Sequence, residues 1–218
     1  MLFLRQAARK FARNLLDYGV RTALGKAAAT VLSIVYEHKV CRIYRRNVLA
    51  NGLPADGRRL SSLKITVMDR DHPDVDAARQ IEQMEEWLEG KLEGRLRDRG
   101  ICVVAQDGRT VTGFSLIAFS RAQLELVRQI RALADDEAWS EQITVRRQYR
   151  RRGVGTALRL RTFQELRKRG IKWLYGGTLS SNTGSLAFTR TLGFTEIEDV
   201  HYRRFLGTVS TFTVKRAR

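Results

Sequence analysis

The sequence predicts a mixed α/β (α+β) domain that carries a basic, largely helical N-terminal extension. Three observations predict it. Beyond residue 62, apolar residues switch repeatedly between the period of a strand and that of a helix. Residues 1–62 hold 12 Lys/Arg against 3 Asp/Glu, whereas residues 63–218 hold 28 against 20. Between the two lies Asn51–Ser62 (NGLPADGRRLSS), dense in turn formers. The expected division is therefore 1–62 as the extension and 63–218 as the main domain.

The extension opens with Leu4, Ala8, Phe11, Leu15 and Tyr18 at helical spacing, with Arg5, Arg9, Lys10 and Arg13 between them. This is an amphipathic basic helix. It is compatible with docking on the main domain, with a homodimer contact, or with binding of residues 1–35 to an anionic membrane surface. The apolar stretch Ala27–Tyr36 follows, and then Val40–Arg46, whose pattern suits strand or helix.

In the main domain, Leu63, Ile65 and Val67 alternate as in a strand. Ala77, Ile81, Met84, Leu88, Leu92 and Leu96 mark one face of a long helix, which Gly90 and Gly94 predispose to break. Ile101–Ala105 and Thr110–Phe119 flank Asp107-Gly108, the signal of a hairpin. Leu124, Val127, Ile130 and Leu133 predict a short helix within Arg121–Ala134. A strand over Trp139–Val145, a helix from Gly155 to Gly170, a strand over Ile171–Thr178 and a helix over Asn182–Leu192 follow. Strands around Phe194–Ile197 and Tyr202–Val214 close the chain.

Composition limits the function classes. The 218 residues are 43% hydrophobic, enough for a packed core, and two prolines exclude a proline-rich stalk. A net charge of +17 favours an anionic partner: nucleic acid, an acidic membrane, or a phosphorylated cofactor. Cys41 and Cys102 form no disulfide framework, and His38, His72 and His201 have no metal-ligand spacing, so no metal is expected. Ala27–Tyr36 is too short to span a bilayer, and the early arginines interrupt any secretory signal. The expectation is a cytoplasmic protein, membrane-peripheral if the first helix binds lipid. Nucleic acid is less favoured, because no zinc-finger spacing and no aromatic stacking motif occurs.

The chemistry concentrates in Ile143–Leu158, ITVRRQYRRRGVGTAL. An apolar strand end runs into Arg150, Arg151, Arg152, Gly153, Val154 and Gly155, and a helix begins there. Glycines let the backbone approach a ligand, and a helix N-terminus offers unpaired N–H groups to an anion. After the next strand comes Asn182, then Leu192-Gly193-Phe194.

Together these segments resemble the GNAT N-acyltransferase superfamily over about residues 63–214. Arg150, Gly153 and Gly155 match its Arg/Gln-x-x-Gly-x-Gly/Ala motif, and Asn182 and Leu192–Phe194 match its second motif. The resemblance implies a mixed, mostly antiparallel sheet flanked by helices, and an N-acetyltransferase that uses acetyl-CoA. An amine would attack the thioester directly in a ternary complex. The backbone of Ile143, Thr144 and Val145 would hold the pantetheine arm where the strand splays from its neighbour. The loop Arg150–Gly155 with Thr156 would hold the pyrophosphate, and Asn182 would contact the pantetheine region. Phe188 is read as core or as packing on the cofactor.

Direct attack requires a proton acceptor for the amine and a proton donor for the leaving thiolate. Glu141 is the candidate acceptor, because regular alternation would place it on the same face as Val145. The family's usual donor is a tyrosine seven residues after the asparagine, where this chain has Thr189. Tyr175 or Tyr202 is the candidate substitute; the alternatives are water as the acid, or a basic nucleic-acid- or membrane-binding module on this scaffold with altered or lost catalysis. The 19 residues between Ser120 and Ser140 form a long connection that either shapes the acceptor site or decorates the surface.

Overall fold

A computed structural model describes residues 36–50, 63–124, 129–206 and 208–216. The expected amphipathic helix at the N-terminus and the proposed boundary stretch lie outside the described residues. Among the described residues there are ten strands, β1 (Tyr36–Asn47), β2 (Leu63–Met68), β3 (Ile101–Asp107), β4 (Thr110–Ala118), β5 (Arg121–Leu124), β6 (Gln129–Ala132), β7 (Glu137–Val145), β8 (Trp173–Leu179), β9 (Thr195–Phe205) and β10 (Thr208–Lys215). The same residues hold four α-helices: α1 (Val75–Met84), α2 (Leu92–Arg97), α3 (Val154–Lys168) and α4 (Thr183–Thr191).

Eight strands form one sheet in the order β10-β9-β1-β8-β7-β4-β3-β2, and β5 and β6 pair separately. Only β7 and β8 run parallel; every other neighbouring pair in the large sheet is antiparallel. The topology follows from the connections. Short turns join β3 to β4 and β9 to β10, as antiparallel neighbours allow, whereas β7 returns to β8 through the helix α3.

Helices cover both faces. On the first face, Ile81, Leu88 and Leu92 bury themselves against Val104, Phe114 and Leu116. The long helix expected here breaks into α1, a 3-10 turn at Glu86–Leu88 and α2. Asp74 caps α1 by accepting from the Ala77 N–H at 2.9 Å. On the second face, Leu158, Phe163 and Leu166 of α3, together with Leu192 and Phe194 after α4, pack on Val103, Ile117 and Leu174.

Two expectations are corrected. Residues 36–47 are not part of a helical extension; they form β1, paired on one side with β8 and on the other with β9. Cys41 and Ile43 are buried on one face of this strand and Tyr44 on the other, so the strand is core on both sides. The helix expected in Arg121–Ala134 is a hairpin of β5 and β6, with Arg121 opposite Ala132 and Leu124 opposite Gln129. The period there is two: Ala122 and Leu124 go under the hairpin against Trp139 and Tyr202, while Ile130, which a helical stripe would bury, is 70% exposed. Among the described residues, no helix is long and apolar enough to cross a membrane.

Candidate active site

The parallel pair β7/β8 is short. Its register runs from Glu137 opposite Trp173 to Ser140 opposite Gly176 and stops. Beyond that point β7 continues to Val145 bonded to β4, while β8 continues to Leu179 bonded to β1. The two strands therefore splay, and the edges of residues 141–145 and 177–179 face each other across a gap. A cleft of about 480 Å³ occupies it. Trp87, Arg95 and Glu141 line it from the first face, and Tyr44, Ser140 and Arg159 from the second.

A β-bulge opens at the splay. Ile117 pairs with Ser140 and Leu116 with Gln142, which leaves Glu141 as the extra residue. The bulge shifts the alternation of everything after it. Thr144 accordingly faces Glu85 near the end of α1, donating to its carboxylate at 2.6 Å. Val145 packs with Val154 and Leu158 on the second face, and Glu141 meets Arg95 of α2 on the first. The expected common face of Glu141 and Val145 is thus absent.

Glu141 is held firmly. Its side chain is 5% exposed, and Arg95 Nη1 donates to its Oε1 at 2.7 Å while Arg95 Nη2 donates to Gln123 Oε1 at 2.7 Å. Glu141 is the one carboxylate among the described residues that line the cleft.

Beyond Val145, a 3-10 turn at Arg147–Tyr149 leads to the basic turn, which stands at the open end of the splay. Arg150, Arg151 and Arg152 are exposed, and Arg150 Nε donates to the Val145 carbonyl at 3.1 Å. Gly153 precedes α3 with φ +87°, a conformation suited to glycine, and no side chain caps the helix. The first backward helical bond runs from Ala157 N–H to the Gly153 carbonyl, so the Val154, Gly155 and Thr156 N–H groups have no partner within the helix. Val154 itself is buried. Its backbone serves the turn; its side chain serves the core. Across from this turn, Phe188 lies 3.3 Å from where a Cβ on Gly155 would be, so it packs α4 against α3. Ile143 and Asn182 both line the cleft, and Asn182 Oδ1 accepts from the Ser185 N–H at 3.1 Å as the N-cap of α4.

The structure does not bring Tyr175 to this site. It sits in the paired part of β7/β8, opposite Trp139, and its hydroxyl donates to Glu137 at 2.9 Å beside a separate surface groove. Burial, then the Glu137 hydrogen bond, raise its pKa. Tyr202 is buried under the β5–β6 hairpin. Thr189 is 4% exposed, and its hydroxyl donates to the carbonyls of Ser185 and Leu186 within its own helix.

Two cleft residues escaped the sequence reading. Tyr44 of β1 lies across Gly176; a Cβ there would fall 3.0 Å from the tyrosine hydroxyl and 2.5 Å from its ring. Burial raises the Tyr44 pKa, with Arg159 opposing the shift. Arg159 of α3 is buried beside Ser140, to which its Nη2 donates at 2.8 Å. The signal for Arg159 was present: it falls four residues before Phe163 on the buried stripe of α3. Tyr44 lay in the segment assigned to the extension.

A family profile, Acetyltransferase (GNAT) family, matches residues 65–194. No match was found among curated proteins. Among solved structures, a tandem GNAT protein from the clavulanic acid biosynthesis pathway superposes with TM-score 0.57 at 16% identity, over 84% of this chain and 59% of that one. A functionally unknown conserved protein from Staphylococcus epidermidis gives 0.53 at 10% identity, over 81% and 65%. A Drosophila protein gives 0.53 at 15% identity, over 88% and 59%. This chain thus spans about three fifths of the length of those chains, and the likeness is one of fold. With the profile spanning the splayed strands, the glycine turn and α4, the chain belongs to the GNAT acetyltransferase family.

Proposed function

We propose that the protein transfers an acetyl group from acetyl-CoA to the nitrogen of an amine, by direct attack while both substrates are bound. The observation that carries this reading is the splay of β7 from β8, opening next to the glycine turn at the head of α3. The residues present fit the donor. The uncapped N–H groups of Val154, Gly155 and Thr156, with the side chains of Arg150, Arg151 and Arg152, suit a pyrophosphate. The free edge of β7 at Ile143–Val145 suits the amides of the pantetheine arm, and Asn182 borders the same cleft.

From the first face, Glu141 accepts the proton of the attacking amine, directly or through one water. As the nitrogen bonds to the acyl carbon, the carbon–sulfur bond breaks and the sulfur keeps the electron pair. Tyr44 gives its hydroxyl proton to that sulfur at the closed end of the cleft. The raised pKa of Tyr44 keeps this donor loaded at neutral and mildly alkaline pH. Tyr44 replaces Tyr175 in this role because its side chain lines the cleft and that of Tyr175 does not.

Calorimetric titration with acetyl-CoA tests the donor half. The wild type should bind saturably, and Gly153→Glu should abolish binding in a folded protein, since the change places bulk and negative charge at the phosphate turn. Absence of binding by the folded wild type would overturn the reading.

A further inference from the structure

Arg159 is a buried cation whose hydrogen-bond partners are both neutral. It is 1% exposed, its Nη2 and Nη1 donate to Ser140 Oγ at 2.8 Å and Ser115 Oγ at 3.4 Å, and its Nε has no partner. Among the described residues, no carboxylate lies within ion-pair distance of it. Glu141 borders the same cleft but is paired with Arg95 on the opposite face of the sheet. The other titratable group beside Arg159 is the Tyr44 hydroxyl. Guanidinium does not escape this cost by losing its proton, as a buried lysine does. A charge shut away from water without a counter-ion is strongly unfavourable until an anion arrives. Since Arg159 lines the cleft, the anion can reach it there.

Position identifies the anion. The phosphate turn follows Val145, at the open end of the splay, and Arg159 bonds to Ser140, the last residue of the paired end. A donor lying along β7 with its phosphates at Arg150–Gly155 points its acyl group at Ser140, Gly176 and Arg159. The amine arrives from the other face, beside Glu141 and Arg95. We infer that the closed end of the cleft is a carboxylate pocket, and that the chain accepts acyl-CoA donors whose short acyl group ends in a carboxylate. It takes them in preference to uncharged acyl groups of the same length. Arg159 contributes the charge, with the Ser140 hydroxyl beside it. This rests on the donor-site reading above and extends its donor class from acetyl to dicarboxylic acyl thioesters.

The test is calorimetry on the full chain with succinyl-CoA and butyryl-CoA, which match in chain length and differ in the terminal charge. The wild type should bind succinyl-CoA about tenfold more tightly, the scale of one charge-assisted hydrogen-bond set. Arg159→Met should erase the difference while leaving butyryl-CoA affinity within about twofold. Arg159→Lys should keep part of it. Equal binding of the two thioesters by the wild type would overturn the inference, as would an Arg159→Met variant that weakens both equally. The wild-type comparison decides the matter even if Arg159→Met does not fold. Failure of CoA itself to bind would mark the fall of the donor-site reading, and would take this inference with it.

Discussion

At the scale of single residues, the proposed transfer turns on which hydroxyl can reach the leaving sulfur. Thr189 stands where the family tyrosine is expected, yet its hydroxyl is satisfied by two carbonyls of its own helix. Tyr44 reaches the closed end of the cleft from a different strand. Tyr44→Phe should therefore lower kcat by about a hundredfold, the lower range for loss of a general acid, with acetyl-CoA affinity little changed. Thr189→Ala should leave kcat within about twofold; steady-state kinetics on both variants decide between the two hydroxyls. Glu141→Gln should cost a similar hundredfold or so in kcat, read in the same steady-state assay. The glycine turn is legible because Arg150, Gly153 and Gly155 form a local pattern that needs no distant partner. Tyr44 and Arg159 are not, because they meet in the cleft only once β1 lies beside β8 and α3 lies on the sheet.

At the scale of elements, one inserted residue reorganises the end of β7. The bulge at Glu141 turns it and Gln142 to the first face, toward Arg95 and Glu85, and sends Val145 to the second. Regular alternation read from the sequence has no means to register this, since a bulge is set by the partner strand. The hairpin β5–β6 fails to show for a related reason: Leu124, Val127, Ile130 and Leu133 are spaced as on a helix, whereas Leu124 packs on Trp139 and Tyr202 and Ile130 is left exposed on the other face. Helix α3 anchors the second face. Phe163→Ala should destabilise by about 3–5 kcal/mol, because Phe163 is fully buried among Tyr44, Leu174 and Phe194. Urea denaturation of this variant measures it. The strands also carry an alkaline limit. Burial pushes the Cys41 thiol from 9.0 up to about 12 and raises Cys102 further. The unfolded chain loses these protons first, so their contribution is complete below pH 9.0 and is lost as pH rises toward 12. The urea midpoint should fall across that window, and Cys41→Ala should make the fall shallower.

At the scale of the whole molecule, the division at residue 62 that charge and turn residues suggest does not divide the sheet. Strand β1 lies between β8 and β9, with Ile43 opposite Gly177 on one side and Glu198 on the other. Truncations should expose this. Removing residues 1–35 should leave a cooperatively folded domain, while removing residues 1–62 should abolish the cooperative thermal transition, because a two-sided strand and Tyr44 leave with them. Circular dichroism during heating distinguishes the two. Membrane attachment through the basic start of the chain is consequently best examined by deleting only residues 1–35 and sedimenting with anionic vesicles. Loss of cosedimentation is the outcome that supports attachment. The pattern of Val40–Arg46 suits strand or helix, and nothing local in YEHKVCRIYRRN says that this strand's neighbours are distant in sequence.

The position of β1 also sets a schedule for synthesis. Tyr44 faces Gly176 across one ladder and Glu196 across the other. During translation the strand therefore leaves the ribosome long before either partner exists. At about 5–20 residues per second, it waits on the order of ten seconds with both edges unpaired. Two bare edges with a buried-type sequence, Cys41-Arg42-Ile43-Tyr44, invite pairing with other nascent chains. Yield on expression should thus depend on how quickly the ribosome reaches β8 and β9, so that slow codons between residues 48 and 172 would favour aggregation.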